Sequence, residues 1–231
     1  MKSSPKFSCI ITAGGVGKRF DSSLKKQYIL LNGKPILHHA IDIFYAKECI
    51  NEIIVTLPNL TEKIIDTNVY SNRVKYVEGG ETRQKSVYNA LQACNSKNNF
   101  VIIHDGVRPF FFDNELTKML SLATETPALI AANYVKNTIK QISGDFITKT
   151  INRETLIEVY TPQIFKLSLI KDYHEKVKNM NKTFTDDASI CEYFSEPVMW
   201  FQTTSPSLKI TTKEDLRFAE FIVNYKKTGE K

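Results

Sequence analysis

A glycine-rich segment flanked by cations is the first feature of this sequence that could do chemistry. Residues 12–19 read Thr-Ala-Gly-Gly-Val-Gly-Lys-Arg, and Lys25 and Lys26 follow. Small residues let backbone N–H groups approach an anion closely. The segment is not a Walker loop, which needs glycine at position 12 and Ser or Thr at position 19, and Phe20 replaces the third glycine of a dinucleotide fingerprint. We interpret it as a polyphosphate-binding loop, with a plain strand-to-helix turn as the alternative.

Two more polar clusters follow apolar runs, at 79–83 and 105–108. Asp105 ends one such run, and Mg²⁺ is often held by one or two carboxylates together with substrate phosphates. The alternative for Asp105 is a turn or capping aspartate ahead of Pro109. We expect His104 to pack or hydrogen-bond rather than to catalyse.

The elements that must position these clusters alternate between strands and helices. The patterns predict strands at 7–13, 52–57, 74–78, 100–104 and 128–135, and helices at 36–46, 82–94 and 114–124. This alternation favours an α/β fold, Rossmann-like, with a mostly parallel central sheet and helices on both faces. Ligands of such sheets bind beyond the carboxyl ends of the strands, where the three polar clusters would converge.

The segment 136–153 breaks this alternation and predicts a β-hairpin around Ser143-Gly144-Asp145. It is too short and too polar to form a core of its own, so we expect it to lie across the parent domain or another subunit. Helices are predicted near 167–178, 187–194 and 213–225, and a strand near 198–203. We predict one domain over 1–231, with the hairpin inserted in it.

Composition limits the class of protein. The 231 residues are 42% hydrophobic and 24% charged, which excludes a disordered tail and a disulfide-stapled miniprotein. The formal charge of +6 suits an anionic partner, either a phosphate-bearing small molecule or a nucleic acid. The four cysteines form no CxxC pair, and we see neither a signal peptide nor a run of about 20 apolar residues. We expect a cytoplasmic protein without a membrane partner.

A series of motifs in one order carries a resemblance to a known family. They are Ala13-Gly-Gly-Val-Gly-Lys-Arg19, Lys26-Gln-Tyr28, Gly33-Lys-Pro-Ile-Leu37, the stretch 79–91, His104-Asp-Gly-Val-Arg-Pro109, Thr138-Ile-Lys140, Thr161-Pro-Gln-Ile-Phe165, Thr185-Asp-Asp-Ala-Ser189 and Lys209-Ile-Thr211. From about residue 7 to residue 225 the chain resembles the 2-C-methyl-D-erythritol 4-phosphate cytidylyltransferases of the non-mevalonate isoprenoid pathway. The resemblance implies a nucleotide-diphospho-sugar transferase type of fold with a protruding dimerisation arm.

The resemblance also implies a reaction and its residues. CTP and methylerythritol phosphate would give 4-diphosphocytidyl-2-C-methyl-D-erythritol and pyrophosphate, with Mg²⁺ as cofactor. The implied catalytic residues are Arg19, Lys26, Arg153 and Lys209. The implied nucleotide-binding residues are Ala13, Gly14, Gly15, Gly17, Gly80, Glu81, Arg83, Ser86 and Gly106. The implied acceptor-binding residues are Arg108, Thr138, Arg153, Thr161 and Lys209, and Asp105 is the implied metal ligand.

The arm at 136–153 implies a homodimer, in which Arg153 would serve the partner subunit's site. Asp186 and Asp187 match an acidic pair of the family, but carboxylates also favour helix N-termini, so we expect helix capping at least as much as a functional role. The chain departs from the family at three positions, with Lys25 for the usual proline, Gly106 for alanine and Ser207 for asparagine. These put loop geometry and acceptor fit in question.

Two rival hypotheses remain open at this stage. A ribitol-phosphate cytidylyltransferase would share the fold and the nucleotide, although the stretches 82–91, 138–140 and 186–189 resemble the methylerythritol family more. A non-catalytic nucleotide- or RNA-binding protein would suit the charge of +6, but the sequence has no RNP-type aromatic motif and no basic run of five or more residues. We therefore expect no nucleic-acid partner.

Overall fold

The computed structural model describes residues 4–14, 26–60, 69–70 and 72–228. Its elements in chain order are β1 (Phe7–Thr12), β2 (Leu30–Leu31), β3 (Lys34–Pro35), α1 (Ile36–Tyr45), β4 (Ile50–Leu57), β5 (Val74–Glu78), α2 (Arg83–Ala93), β6 (Phe100–Asp105), α3 (Asp113–Leu122), β7 (Ala128–Tyr134), β8 (Ile139–Ser143), β9 (Phe146–Ile151), β10 (Ile157–Lys166), α4 (Leu167–Val177), α5 (Ala188–Tyr193), β11 (Met199–Gln202) and α6 (Lys213–Thr228). Every strand and helix predicted from the sequence is present, with ends that shift by a few residues at most.

Seven strands form the central sheet in the order β11-β7-β10-β6-β1-β4-β5. The pairs of β1 with β4 and β6, of β4 with β5, and of β7 with β11 are parallel. Strand β10 is antiparallel to both of its neighbours, β6 and β7. The fold class expected from the sequence, a mostly parallel sheet with helices, is thereby confirmed.

Strand β10 was not predicted, because its sequence argues against a central strand. Proline has no N–H to donate to a ladder, and Pro162 lies in the middle of this strand. The structure accommodates it in a break of register between Val159 and Gln163 on the β7 side, and pairing with β6 begins only at Gln163.

The core lies in two layers because successive side chains of a strand point to opposite faces. On one face Cys9 and Ile11 of β1 pack with α1 and α3, and on the other Ile10 packs with α2, α4 and α5. The side chain of Cys9 is fully buried. A smaller cluster around Ile210 holds α6 against β2 and the start of α1.

The predicted hairpin is formed by β8 and β9, which pair only with each other. It exposes large apolar side chains, with Ile142 67%, Phe146 78% and Ile147 65% accessible. Within the residues described, no helix combines the length and apolar character needed to cross a membrane.

Candidate active site

Two neighbouring cavities open at the carboxyl edge of the sheet. The first lies between the end of β1, the loop before α2 and the end of β6. The second lies between β6, β10 and the segment before α5. Both are lined by Arg83, Asp105 and Lys209, so one cluster of charges stands at their common boundary.

The floor of the first cavity is backbone from two loops in close contact. Gly14 follows β1, and a Cβ placed there would lie 3.3 Å from the Oγ of Ser86. Ser86 is buried, and its Oγ accepts a hydrogen bond of 2.9 Å from the N–H of Gly80. A Cβ at Gly80 would lie 2.5 Å from the Cβ of Lys85, so that position accepts only glycine without rearrangement. Ala13 and Glu81 also line this cavity.

Helix α2 begins beside this floor. The Oγ1 of Thr82 accepts a hydrogen bond of 3.1 Å from the N–H of Lys85, which makes Thr82 the N-cap. The cap fixes the first turn of α2, and Arg83 and Ser86 in that turn both face the first cavity.

Asp105 is the centre of the charge cluster. Its Oδ1 lies 3.1 Å from Arg83 Nε, and its Oδ2 lies 2.8 Å from Lys209 Nζ and 3.3 Å from Arg108 Nε. Burial alone would raise the pKa of Asp105, but the charges of Arg83, Lys209 and Arg108 hold it well below its usual range. A buried, ionised carboxylate therefore gathers three cations at the boundary of the two cavities.

Arg83 is held from its other side by a second buried carboxylate. Its Nη1 lies 2.7 Å from Asp187 Oδ2, and Asp187 Oδ1 lies 3.0 Å from His174 Nε2. Burial would raise the pKa of Asp187, whereas the charge of Arg83 lowers it below the usual value. A continuous chain of contacts thus runs from His174 on α4 through Asp187 and Arg83 to Asp105.

Asp186 and Asp187, the acidic pair before α5, have different roles. Asp187 makes no side-chain capping hydrogen bond, so the expectation of capping was wrong for this residue, whose carboxylate is turned inward to Arg83. Asp186 does cap, because its Oδ1 accepts a hydrogen bond of 3.0 Å from the N–H of Ser189. Its Oδ2 accepts one of 2.7 Å from Gln163 Nε2 on β10.

The second cavity is lined by three of the residues that the family resemblance assigned to the acceptor: Arg108, Thr161 and Lys209. The Oγ1 of Thr161 accepts a hydrogen bond of 3.1 Å from the N–H of Asp105, which joins β10 to the end of β6. Arg108 donates from Nη1 to the backbone carbonyl of Ser207. The departure from asparagine at position 207 leaves this contact intact, since it uses the main chain.

Other predicted residues lie away from these cavities. Thr138 and Arg153 are exposed at the base of the hairpin, where Arg153 Nη1 donates a hydrogen bond of 2.7 Å to the carbonyl of Lys136. Gly106 is buried behind β1, and its N–H donates to the carbonyl of Thr12 at 2.9 Å. Neither cavity is lined by any of these three residues.

Gly15, Gly17, Arg19 and Lys25 lie outside the described residues. Lys26 begins a turn of 3-10 helix, Lys26–Tyr28, but the structure describes only its backbone. Gln27 beside it is buried and lines the first cavity, so the chain from 26 onward borders the same space as the loops at Gly14 and Gly80.

His104 is not part of the reactive cluster. It is fully buried, its ring packs edge-on against Phe44 with centroids 5.0 Å apart, and Nε2 lies 2.9 Å from the carbonyl of Arg108. Burial lowers the pKa of His104 to about 4, so the ring is neutral near pH 7. Its interpretation as a packing and hydrogen-bonding residue is confirmed.

The residues that sequence reasoning missed are His174, Gln163 and the inward role of Asp187. A signal existed, since the stretches 161–165 and 185–189 both carried the resemblance. The structure joins these two stretches through Gln163, which donates to Asp186 and whose Oε1 accepts a hydrogen bond of 3.3 Å from the N–H of Ala188.

Comparisons with known proteins agree with this arrangement. The family model described as 2-C-methyl-D-erythritol 4-phosphate cytidylyltransferase matches residues 7–225. Proteins of that name from Halalkalibacterium halodurans and Clostridium botulinum (strain Eklund 17B) are each 40% identical, over 94% of this chain and 97% and 99% of theirs.

Solved structures show the same fold. The crystal structure of 4-diphosphocytidyl-2C-methyl-D-erythritol synthase from Anaerococcus prevotii is 32% identical, with a TM-score of 0.85 over 95% of this chain and 96% of that one. The 2-C-methyl-D-erythritol 4-phosphate cytidylyltransferase of Francisella tularensis is 28% identical, with a TM-score of 0.80 over 94% and 99%. The chain with two cavities joined at Asp105 therefore belongs to the 2-C-methyl-D-erythritol 4-phosphate cytidylyltransferase family.

Proposed function

We propose that this chain transfers CMP from CTP to 2-C-methyl-D-erythritol 4-phosphate and releases pyrophosphate. The observation that carries the proposal is the cluster of Arg83, Arg108 and Lys209 around Asp105, at the boundary of two cavities. Two anionic substrates bound in adjacent cavities would bring their phosphates together at this cluster. Family membership supports the choice of both substrates.

The first cavity suits the nucleotide. Its floor of backbone at Gly14 and Gly80, with the buried hydroxyl of Ser86 between them, offers carbonyl and amide groups to the edge of a base. Distinguishing cytosine from uracil requires an acceptor for the exocyclic amine of cytosine, and a backbone carbonyl can serve as one. Ala13, Glu81 and Arg83 complete this proposed nucleotide site, and Gly15 and Gly17 would contact the phosphates.

The second cavity suits the acceptor phosphate. Arg108 presents a planar guanidinium that can bind phosphate oxygens at two points, and Lys209 adds a mobile point charge that is 41% exposed. Thr161 supplies a hydroxyl at the wall. Both cations already form ion pairs with Asp105, so they are preorganised before the substrate binds.

The chemistry then follows from this placement. An oxygen of the acceptor phosphate attacks the α-phosphorus of CTP, the bond from that phosphorus to the β-phosphate oxygen breaks, and pyrophosphate leaves with the electron pair. The attacking oxygen is already anionic, so no side chain need remove a proton, which agrees with the neutral, buried His104. The protein contributes in-line positioning and positive charge, and we assign the stabilisation of developing charge to Arg19 and Lys26.

The donor groups fit a Mg²⁺ ion that is shared with the substrate. Within the described part of the chain, no three His, Cys, Asp or Glu side chains converge as metal ligands, so the protein does not offer a complete cage. Asp105 is the carboxylate that lines both cavities, and one carboxylate plus phosphate oxygens is a usual Mg²⁺ environment. Bound there, Mg²⁺ would neutralise part of the triphosphate charge, with Asp105 as its protein ligand.

We also propose a homodimer through residues 136–153, acting in the cytoplasm. A two-stranded hairpin with exposed Ile142, Phe146 and Ile147 is marginal alone and is stabilised by burial against another surface. Arg153 and Thr138 stand at its base and would complete the acceptor site of the partner subunit. The cytoplasmic location is supported by four cysteines that are all unpaired.

The direct test is pyrophosphate release from CTP and Mg²⁺ with methylerythritol phosphate, with ribitol 5-phosphate or with no acceptor. Release that depends on methylerythritol phosphate is the expected result. Release with ribitol phosphate alone would move the chain to the other acceptor, and salt-sensitive RNA binding without release would indicate a binding protein.

Variants separate the assigned roles. Lys26→Ala should lower kcat by about 10²–10³, in the range of a lost oxyanion donor. Arg153→Ala should instead reduce kcat/KM for the acceptor and leave the KM for CTP unchanged. Lys171→Ala, a change on α4 away from both cavities, is the matched control and should behave as wild type.

A further inference from the structure

A buried glutamate outside both cavities accepts five hydrogen bonds from one loop of the chain. Glu115 lies in the first turn of α3 and is 7% exposed. Its Oε1 accepts hydrogen bonds from the N–H and Oγ1 of Thr204, at 2.8 and 2.7 Å. Its Oε2 accepts from Thr203 Oγ1 at 2.5 Å and from the N–H and Oγ of Ser205, at 3.2 and 2.5 Å. Three consecutive residues thus converge on one carboxylate.

These residues begin the segment 203–210, which we call the Lys209 loop. It runs antiparallel to residues 107–115. Ile210 donates its N–H to the carbonyl of Val107 at 2.9 Å. Ser207 offers its carbonyl to Arg108, and Ser205 Oγ accepts from the N–H of Phe112 at 2.8 Å. Glu115 therefore anchors the start of the Lys209 loop, at residues 203–205. Asp105 and Val107 anchor its end, through Lys209 and Ile210.

The charge of Glu115 is satisfied by neutral donors alone in these contacts. Burial would raise the pKa of Glu115, but hydrogen bonds from Ser205, Thr203 and Thr204 lower it to about 2. The carboxylate is therefore ionised at any pH at which the protein would work. An ionised acceptor binds backbone and hydroxyl donors roughly twice as strongly as a neutral one, which suits an anchor that fixes a loop.

We propose that Glu115 is a positioning residue, which sets the places of Lys209 and Arg108 through the Lys209 loop and so acts on the binding of the acceptor phosphate. This rests on the proposed function for the identity of the ligand. Lys209 lies between the two fastened ends, one residue before Ile210, and Arg108 is bonded to the carbonyl of Ser207 in the same loop. Without this anchor both cations could move with the loop. The five hydrogen bonds to the Glu115 carboxylate described above all come from residues 203–205, whereas the nucleotide floor is fixed by the hydrogen bonds of Ser86 with Gly80 and Thr82.

The test compares Glu115→Gln with Glu52→Gln in steady-state kinetics. Glu52 is a matched control, 4% exposed, which accepts hydrogen bonds from Ser8, Asn95, Asn98 and Lys75. It lies near the start of β4, at the edge of the sheet opposite to the cavities. Both changes replace a buried carboxylate by an amide of equal size.

We expect Glu115→Gln to lower kcat/KM for methylerythritol phosphate about 10- to 100-fold, the cost of one or two lost charged hydrogen bonds. The KM for CTP should change by at most a few-fold, because Lys209 also lines the first cavity. Glu52→Gln should leave both constants within twofold of wild type, and Glu115→Asp should recover part of the loss. An unchanged kcat/KM in Glu115→Gln, or an equal fall in Glu52→Gln, would overturn the proposal.

Hydrogen exchange gives a second readout that does not require turnover. The amides of 204, 205 and 210 should exchange faster in Glu115→Gln, while those of 53–57 on β4 stay protected. If Glu115→Gln fails to fold, Ser205→Ala should give the same direction with a smaller effect. Faster exchange without activity on any acceptor in the wild type would refute the proposed function but keep the anchor, and unchanged exchange at 204–210 would refute the anchor itself.

Discussion

Asp187 is the buried carboxylate that links His174 to Arg83. Replacing it by asparagine tests whether this link contributes to the stability of the protein and to its turnover. Asparagine keeps the size and one acceptor oxygen but removes the charge. Deleting one partner of a buried ion pair typically costs 3–5 kcal/mol, because the other charge stays buried. Arg83 is 29% exposed and keeps Asp105 at 3.1 Å, so we expect a smaller loss, about 2–3 kcal/mol of unfolding free energy.

The loss should depend on pH in a defined direction. The pKa of Asp187 is lowered in the folded chain, so its stabilisation is complete above the unfolded pKa near 3.9 and declines as the pH falls below that value. The difference in unfolding free energy between wild type and Asp187→Asn should therefore stay constant from pH 7 to about pH 5 and narrow from there towards pH 3. In a protein of this size, 2–3 kcal/mol corresponds to a melting temperature lower by roughly 5–10 °C at pH 7.

Urea unfolding at pH 7 and at several lower values, together with kcat and both KM values, measures these effects. The control is Asp172→Asn, whose carboxylate is 55% exposed and pairs with Lys176 on the surface of α4, so it should cost less than about 0.5 kcal/mol. We also expect kcat to fall in Asp187→Asn, since Arg83 would no longer be held against Asp105 from both sides. A loss no larger than that of Asp172→Asn, or one that is independent of pH, would refute the reasoning.

Three further predictions follow from single positions. Gly80→Ala should raise the KM for CTP about tenfold, because a Cβ there would lie 3.1 Å from the backbone carbonyl carbon of Lys85 and would force the first turn of α2 to move; an unchanged KM would mean that this turn does not shape the nucleotide site. Gly106→Ala should cost about 1 kcal/mol in urea unfolding, because its Cβ would lie 3.1 Å from the backbone oxygen of Thr12, and a gain in stability would contradict this packing. The unfolding free energy of the wild type should fall from pH 6.5 towards 4.5, because His104 binds a proton in the unfolded chain but stays neutral in the folded one, where its pKa is about 4. His104→Gln should reduce the slope of unfolding free energy against pH, and equal slopes in the two proteins would exclude His104 as the source.

Much of the fold follows from local sequence patterns. The apolar run at 7–13 and the helical spacing at 36–46 each depend on neighbours a few residues away, and both predictions matched β1 and α1 closely. Strand β10 did not follow, because its pairing depends on two distant strands and its local sequence contains Pro162. The register break that accommodates this proline forms only when β10 pairs with its neighbours, so a short stretch of sequence cannot predict it.

The site divides in the same way. The glycine loops and Asp105 could be located because polar residues after buried strands must meet at the carboxyl edge of the sheet. The pairing of Arg83 with Asp187 could not, since the two residues are 104 positions apart and a capping role explained Asp187 equally well. Glu115 carried no signal at all, because its partners are the ordinary residues Thr203, Thr204 and Ser205, whose hydroxyls converge only in the folded chain.

The reversed direction of β10 also determines the rim of the sheet from which the hairpin leaves. Strand β7 runs towards the carboxyl edge, and β10 returns from that edge, as the pairing of Ile157 with Tyr134 shows. The hairpin that joins them must therefore leave from the same rim as Asp105, whereas a crossover to a parallel strand would have carried the chain to the opposite rim. The hairpin that exposes Ile142 and Phe146 is therefore rooted at the rim that carries Asp105, so in the proposed dimer the subunit contact and the two cavities would lie at the same end of the sheet.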